Sequence, residues 1–475
     1  SENMRGKEVY GIMLKKMKIP HTYFLLFILI VLVALGTYVI PAGEFAREVN
    51  EATGRTVVVP GTYARVAPTP VSFFETIKAI PQGMNQAAQI IFFVFIISGA
   101  FGIIQATGTI NAGIASTVKK FGSRGKLLIP VLIFIFSLAG AILGTAEEAL
   151  PFYPIVISLC LALGFDSITG TAIVLLGAGA GFAGAFLNPF TIGIAQGVSG
   201  LPLFSGISLR LVGYAVMLGV TIMYILRYAS KIQKNPQESL MYHADQNSDH
   251  ALDHDEMPEF TGKHKIILAI LVIGLGILVY GVVKLGFYID ELSTMFLIIG
   301  ILSGVVAGFS GGKIAEEFIK GAKELVYGAL VIGLARAILV VMTEGQIVDT
   351  VIYSLASLVE SMPPVISGVG MFFVQTALNV LIPSGSGQAA ATMPIMAPLA
   401  DVVGVTRQTA VLAFQFGDGI TNVISPTSGY FMAALAIGKI PWDKWVRFFF
   451  PLFLIWNVIA IVMVSVAVFI NYGPF

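Results

Sequence analysis

The sequence predicts an all-α polytopic membrane protein built as an inverted repeat, with about nine spanning segments and two re-entrant hairpins. Three observations predict it. The 475 residues are 56% hydrophobic and only 12% charged, whereas a soluble domain carries about 25% charged residues. Mean hydropathy is +0.87, and several apolar runs approach the roughly 20 residues that cross a hydrocarbon core. Two stretches look like copies: GTAEEALPFYPIVISLCLALGF from Gly144 with GAGAGFAGAFLNPFT up to Thr191, and SGSGQAAATMPIMAPLADVVGV from Ser384 with GDGITNVISPTSG up to Gly429. Setting Gly144 against Ser384 aligns Glu148 with Gln388, Pro154 with Pro394 and Gly164 with Gly404. A shift of two or three residues aligns Thr171 with Thr409, Gly181 with Gly419 and Pro189 with Pro426.

The first apolar run, about 23–41, is long enough to span and is not expected to be a cleaved leader. Arg5, Lys7, Lys15, Lys16 and Lys18 precede it, which puts the N-terminus in the cytoplasm. Residues 42–70 read as a polar loop on the far side, and 72–86 as an interfacial helix. A second span, 88–107, returns inward. The segment 126–163 reads either as a span plus a separate hairpin or as one re-entrant hairpin with GTAEE at its tip. The second reading keeps the polar stretch 229–264 inside, beside Arg227, Lys231, Lys234, Lys263 and Lys265, and is adopted. It also buries the non-helical backbone in protein, where mid-depth irregular chain is tolerated.

A broken span at 169–199, interrupted over Gly177–Pro189, and a span at 207–228 complete a first repeat, 1–228. Residues 229–264 read as a flexible cytoplasmic linker. The second repeat, 265–475, has spans at 265–287, 291–311 and 326–343, with interfacial helices at 313–325 and 346–360. A second hairpin covers 364–401, a broken span 405–437 and a last span 446–470. An odd number of crossings separates equivalent elements, so the halves have opposite orientation. Trp442 and Trp445 read as interfacial anchors.

The candidate substrate and ion site lies at the two tips and the two breaks. Glu147 and Glu148 sit at the first tip with Thr145; an intramembrane carboxylate is a functional hypothesis by default. The second tip offers Ser384, Ser386 and Gln388, whose oxygens suit Na⁺ or polar ends of a substrate, while helix N-termini suit a carboxylate. The breaks carry Asn188 and Thr191 in the first, and Asp418, Asn422, Ser425 and Thr427 in the second. Proline inside a span frees a carbonyl that can coordinate a cation. A Na⁺ site is therefore expected near Asn188, Asp418 and Asn422. Arg336, inside VIGLARAILVV, either neutralises a tip glutamate, binds a substrate carboxylate or is structural.

Several classes are excluded. The net charge of +1 argues against nucleic-acid binding, and the single Cys160 allows no intramolecular disulfide. His250 and His254, spaced i, i+4, fall in the polar linker and read as solvated. No phosphate loop, HExxH or paired-cysteine motif is present, so neither ATP-driven transport nor an enzyme is supported. A channel normally needs a repeated axial pore, and asymmetric broken helices favour a carrier. No resident cofactor is expected; Na⁺ or H⁺ is the candidate coupling ion.

At GTAEEALPFYPI (144–155), LNPFTIGIAQG (187–197), IPSGSGQAAATMPIMAPLAD (382–401) and FGDGITNVISPTSGYFMAAL (416–435), the chain resembles the four-carbon dicarboxylate anaerobic carrier family, in particular its YfcC-like branch, within the ion transporter superfamily. The resemblance covers nearly the whole chain. It implies a homodimer in a prokaryotic cytoplasmic membrane, with scaffold and transport domains and an elevator-like motion. It also implies a small-molecule substrate, a basic amino acid such as arginine or ornithine in related members. The superfamily's sodium–dicarboxylate members carry Ser-Asn-Thr tips, and this chain departs from that pattern. A pocket holding Glu147, Glu148 and Asp418 would attract an ammonium or guanidinium and repel a dianion. A mono- or dicarboxylate, admitted after Na⁺ masks the acids, is the alternative.

Overall fold

Where water is absent, backbone N–H and C=O groups must bond within the segment, so long apolar runs become helices. A computed structural model describes residues 22–51, 55–144, 146–150, 152–247, 259–285, 287 and 289–473. Helix α1 (Thr22–Gly36) leads to two small ribbons, β1 (Gly43–Glu44) with β4 (Ala64–Arg65) and β2 (Arg47–Asn50) with β3 (Arg55–Val58), both antiparallel. The polar loop expected over 42–70 is thus partly sheet. Helix α2 (Phe73–Gln86) begins where Ser72 accepts from the Glu75 N–H, one of the donors a helix start leaves unpaired. Then come α3 (Ala88–Ala106), α4 (Thr109–Phe121), α5 (Leu128–Leu138), α6 (Phe152–Ala162), α7 (Ser167–Ala183), α8 (Ile194–Val198) and α9 (Ile207–Lys234).

The second half runs through α10 (Tyr242–Asp245), α11 (Gly262–Tyr280), α12 (Ile289–Ala307), α13 (Gly311–Glu324), α14 (Val326–Glu344) and α15 (Val348–Val359). It ends with α16 (Pro364–Leu381), α17 (Gly385–Val403), α18 (Arg407–Thr421), α19 (Gly429–Ile437) and α20 (Trp442–Phe469). Among the described residues seven helical stretches are long and apolar enough to cross a membrane: Ala88–Ala106, Arg124–Leu143, Ile207–Lys234, Ile289–Ala307, Val326–Glu344, Pro364–Leu381 and Trp442–Phe469. The stretches 169–199 and 405–437, expected as broken spans, are divided into shorter helices. Their breaks fall at 184–188 and 422–428.

Two layers result. In one, α7 and α18 touch at the centre; every residue from Ser167 to Gly181 and from Gln408 to Thr421 is buried. Helices α5, α6 and α9 pack on α7, and α16, α17 and α20 pack on α18, so each half repeats one arrangement. In the other layer, α3 packs on α12 and α13, and α14 on α1, α2, α3 and α19. A separate apolar cluster of Phe93, Ile97, Phe101, Ile267, Leu271 and Phe296 fills that layer.

Part of the stretch expected to be a flexible linker is structured. Helix α9 continues to Lys234, and 236–245 folds back under the α6–α7 turn. The reason is the buried Asp166. It caps α7 through the Thr169 N–H at 2.8 Å and accepts the Tyr228 and Ser239 hydroxyls at 2.6 and 2.7 Å. Asp245 accepts the Ser167 N–H at 2.9 Å, and Lys444 donates to the Leu240 carbonyl at 2.7 Å. At the exposed end of α9, Glu238 is held below the usual carboxylate range by its bond to Lys231. His250 and His254 lie outside the described residues.

The closest approach in the first half is between α5 and α7, where a Cβ on Gly181 would stand 1.9 Å from the Ser137 carbonyl oxygen. Overpacking of this kind costs about 1–3 kcal/mol. Gly181→Ala is therefore expected to lower the melting temperature of the purified protein by several degrees. Gly219→Ala on α9, with nothing within 4 Å of the new methyl, serves as the control. Equal melting temperatures would contradict the α5–α7 packing.

Candidate functional site

Both breaks expose backbone groups, and the neighbouring chains satisfy them. In the first, the Asn188 side chain accepts the Phe190 and Thr191 N–H groups at 2.9 and 3.2 Å. Leu187 N–H reaches the Ala141 carbonyl at 3.2 Å, and Gln415 of α18 donates to the Phe182 carbonyl at 2.7 Å. In the second, Trp442 Nε1 donates to the Ile424 carbonyl at 2.9 Å and Trp445 Nε1 to the Val423 carbonyl at 3.0 Å. Trp445 is 0% exposed. This corrects its reading as an interfacial anchor: its indole N–H is the donor that the freed Val423 carbonyl requires.

Asp418, also 0% exposed, lies in the last turn of α18, just before this break. Its Oδ1 accepts from Asn379 Nδ2 at 2.7 Å and from Asn422 Nδ2 at 3.2 Å. Asn379 Nδ2 also donates to Gln388 Oε1 at 3.0 Å. Gln388 in turn donates to the backbone and side-chain oxygens of Gln375, both at 2.8 Å, and Gln375 donates to Thr392 at 2.9 Å. This chain of amides locks α16, α17 and α18 around the carboxylate. Among the described residues Asp418 Oδ2 has no partner, and neither do Asn379 Oδ1, Thr191 Oγ1 and Asn188 Nδ2.

The tips reach these groups through glycine. Gly385 opens α17 against both breaks: a Cβ there would lie 2.6 Å from Thr191 Cγ2 and 3.0 Å from Asp418 Oδ2. Gly144 turns the first tip at φ +67°, a left-handed conformation that favours glycine, and a Cβ there would lie 2.6 Å from Asn188 Oδ1. Second tip, first break and second break thus meet at Asp418, while the first tip leans on Asn188.

Of the expected site residues, Asn188, Thr191, Gln388, Asp418 and Asn422 are buried around this junction. Ser384 caps α17 by accepting the Gly387 N–H at 3.3 Å, and Ser386 is half-buried in the first turn of α17. Ser425 and Thr427 share a hydroxyl hydrogen bond of 2.7 Å in the second break. Glu147 and Glu148 sit at the first tip, where Glu148 accepts the Ala146 N–H at 3.0 Å. No hydrogen bond joins either glutamate to Asp418 among the described residues, but Tyr430, at the start of α19, lies within electrostatic reach of both Glu147 and Asp418. Thr145 lies outside the described residues. Sequence reasoning missed Gln375, Asn379, Thr392 and Tyr430. The amide of Asn379, five residues before Ser384 in an apolar run, was the available signal.

Arg336 on α14 makes no ion pair with Glu147 or Glu148 among the described residues. It lines a cavity of about 500 Å³ over the second tip, together with Ser384 and Gly387. Arg47 of β2 and Asp349 of α15 border the same cavity and form an ion pair, with two contacts of 2.9 Å. A second cavity of about 250 Å³, lined in part by Gln105, Pro154, Ser158 and Lys320, lies between α3, α6 and α13. Among the described residues no group of three or more His, Cys, Asp or Glu is placed to hold a metal ion.

A family model described as C4-dicarboxylate anaerobic carrier, DcuC, matches residues 19–469. The chain belongs to the DcuC family. It is a transmembrane transporter of that family and not an enzyme. YfcC of Escherichia coli K12, described as a candidate basic amino acid antiporter, is 32% identical over 470 residues, covering 91% of this chain and 93% of that protein. An uncharacterised protein of Haemophilus influenzae Rd is 33% identical over 419 residues, covering 86% and 82%. Among solved structures, the YdaH transporter of Alcanivorax borkumensis gives a TM-score of 0.44 at 16% identity, covering 96% of this chain and 100% of that one. MtrF of Neisseria gonorrhoeae, titled as one of a class of antimetabolite efflux pumps, gives 0.43 at 17%, covering 95% and 96%.

Gly385→Ala would push a methyl into the space between Thr191 and Asp418 Oδ2. It is expected to abolish uptake of the transported substrate while the melting temperature stays within a few degrees of the parent. Full uptake by this variant would show that the junction is not the binding site.

Proposed function

We propose that this protein is a secondary active transporter for a small amino acid or cationic metabolite, with a basic amino acid such as arginine or ornithine favoured. The observation that carries the reading is the unpartnered Asp418 Oδ2 where the second tip meets both breaks. No basic side chain pairs with Asp418, Glu147 or Glu148 among the described residues, so the site is net negative. A buried carboxylate calls for a cation or a proton, and an ammonium or guanidinium supplies the cation. The name of the E. coli relative points the same way.

Residues 1–228 and 265–475 are the inverted repeats, joined by 229–264 on the cytoplasmic side. Segments 126–163 and 364–401 are re-entrant hairpins, and each packs on its own broken helix, 169–199 or 405–437. The layer around α7 and α18 is the transport domain, and the layer around α3, α12 and α14 is the scaffold, moving by an elevator step within a homodimer in the bacterial cytoplasmic membrane. Two cavities, each beside a different hairpin, support access from two sides. The substrate is either exchanged for another or coupled to H⁺ or Na⁺. Asn188, Asp418 and Asn422, with Thr191, Ser425 and Thr427 nearby, supply the oxygens for a coupling Na⁺. The family description favours a second reading, a coupled mono- or dicarboxylate transporter in which cations bind first.

Asp418→Asn and Glu148→Gln are each expected to reduce uptake to background in proteoliposomes, with unchanged elution on size exclusion. Normal uptake by both variants would overturn the acidic-site reading.

A further inference from the structure

Of the two arginines that line the cavity over the second tip, Arg336 makes no ion pair among the described residues. Arg47 is paired with Asp349, whose carboxylate also accepts the Phe45 N–H at 2.9 Å. Glu44 borders the cavity but makes no ion pair with Arg336 among the described residues. Arg336 Nε is buried and has no hydrogen-bond partner among the described residues. A guanidinium at this depth with an open donor is costly unless an anion completes it, and its planar fork fits a carboxylate. Ser384 faces the same space. Its Oγ accepts the Gly387 N–H, which leaves its own hydrogen free to donate. Gly387 lies in the first turn of α17, whose N-terminal end favours negative charge.

We propose that Arg336 and Ser384 form a carboxylate subsite, which takes the α-carboxylate of an amino-acid substrate as it approaches the second tip. The subsite rests on the proposed amino-acid reading and adds the group that separates an amino acid from a plain amine. Gly385, between Ser384 and Gly387, lies close to Asp418: a Cβ there would stand 3.0 Å from Oδ2, so one tip serves both the subsite and the carboxylate. A zwitterionic substrate would meet a cation first and an anion beyond it. Arg336 belongs to α14, which packs on α1, α2, α3 and α19, whereas Ser384 belongs to the tip of the second hairpin. A movement of the tip relative to α14 would therefore make or break the subsite.

The test compares arginine with agmatine, the same cation without its carboxylate, by isothermal titration on the full-length protein. Succinate is the third probe. The parent protein is expected to bind arginine roughly tenfold or more tightly than agmatine, the size of one lost charge-assisted contact. In Arg336→Ala, arginine should fall to the agmatine level while agmatine is unchanged. Arg336→Lys should recover part of the difference. Unchanged agmatine binding shows that the variant is folded. Equal arginine and agmatine affinity in the parent, or an arginine preference that survives Arg336→Ala, would overturn the subsite. Binding of succinate but not arginine, lost in Arg336→Ala, would overturn the amino-acid reading and keep the carboxylate role of Arg336. Binding of none of the three would overturn both.

Discussion

Asp418 holds one oxygen against Asn379 and Asn422 and leaves the other open, with no solvent on either side. Much of the architecture of the layer around α7 and α18 follows from keeping that group buried. A carboxylate cannot sit at this depth against apolar side chains alone, so α16 and α17 present amides toward it, and Gln375, Asn379 and Gln388 hold one another in place. The same depth forbids loose backbone. The interrupted ends of α7 and α18 are consequently closed by Gln415, Trp442 and Trp445. Polar groups at the junction are bonded in chains, and among the described residues Asp418 Oδ2, Asn379 Oδ1, Thr191 Oγ1 and Asn188 Nδ2 are the atoms there left without a partner.

The two halves share an arrangement but not a chemistry. The first tip is acidic, with Glu147 and Glu148, and leans on Asn188 through Gly144. The second tip is neutral and meets both breaks through Gly385. Glycine at these two positions lets one chain approach another closely enough for side-chain oxygens from separate elements to face the same space. The tryptophans close the second break, beside Asp418, whereas Asn188 and Gln415 close the first. A site built this way has one buried carboxylate and one acidic tip, with Tyr430 within electrostatic reach of both Glu147 and Asp418.

Much of this was legible in the sequence. The duplicated Gly-Pro segments pointed to both helix breaks, observed at 184–188 and 422–428, because glycine and proline mark helix interruption directly. The helix expected at 72–86 appears as α2, Phe73–Gln86, capped by Ser72. Other parts were not legible. Asn379 and Gln375 sit in apolar runs, and only the register of α16 against α18 reveals that they face Asp418. Trp445 carries the same composition signal whether it lies at a membrane surface or under a break. The folding of 236–245 depends on Asp166, some seventy residues earlier in the chain. In each case the missing information is a contact between distant segments, which composition and periodicity do not encode.

The most direct test of the central claim, that the acidic junction at Asp418 seats a cationic substrate, is thermal stabilisation of the purified protein. The panel is arginine, ornithine, lysine, neutral amino acids, succinate and malate, with and without Na⁺, at two pH values. A ligand bound only to the folded state raises the melting temperature. The account predicts a rise with basic amino acids and none with succinate or malate. A rise only with a dicarboxylate in the presence of Na⁺ would contradict it, and would make Asp418 part of a cation site in a symporter.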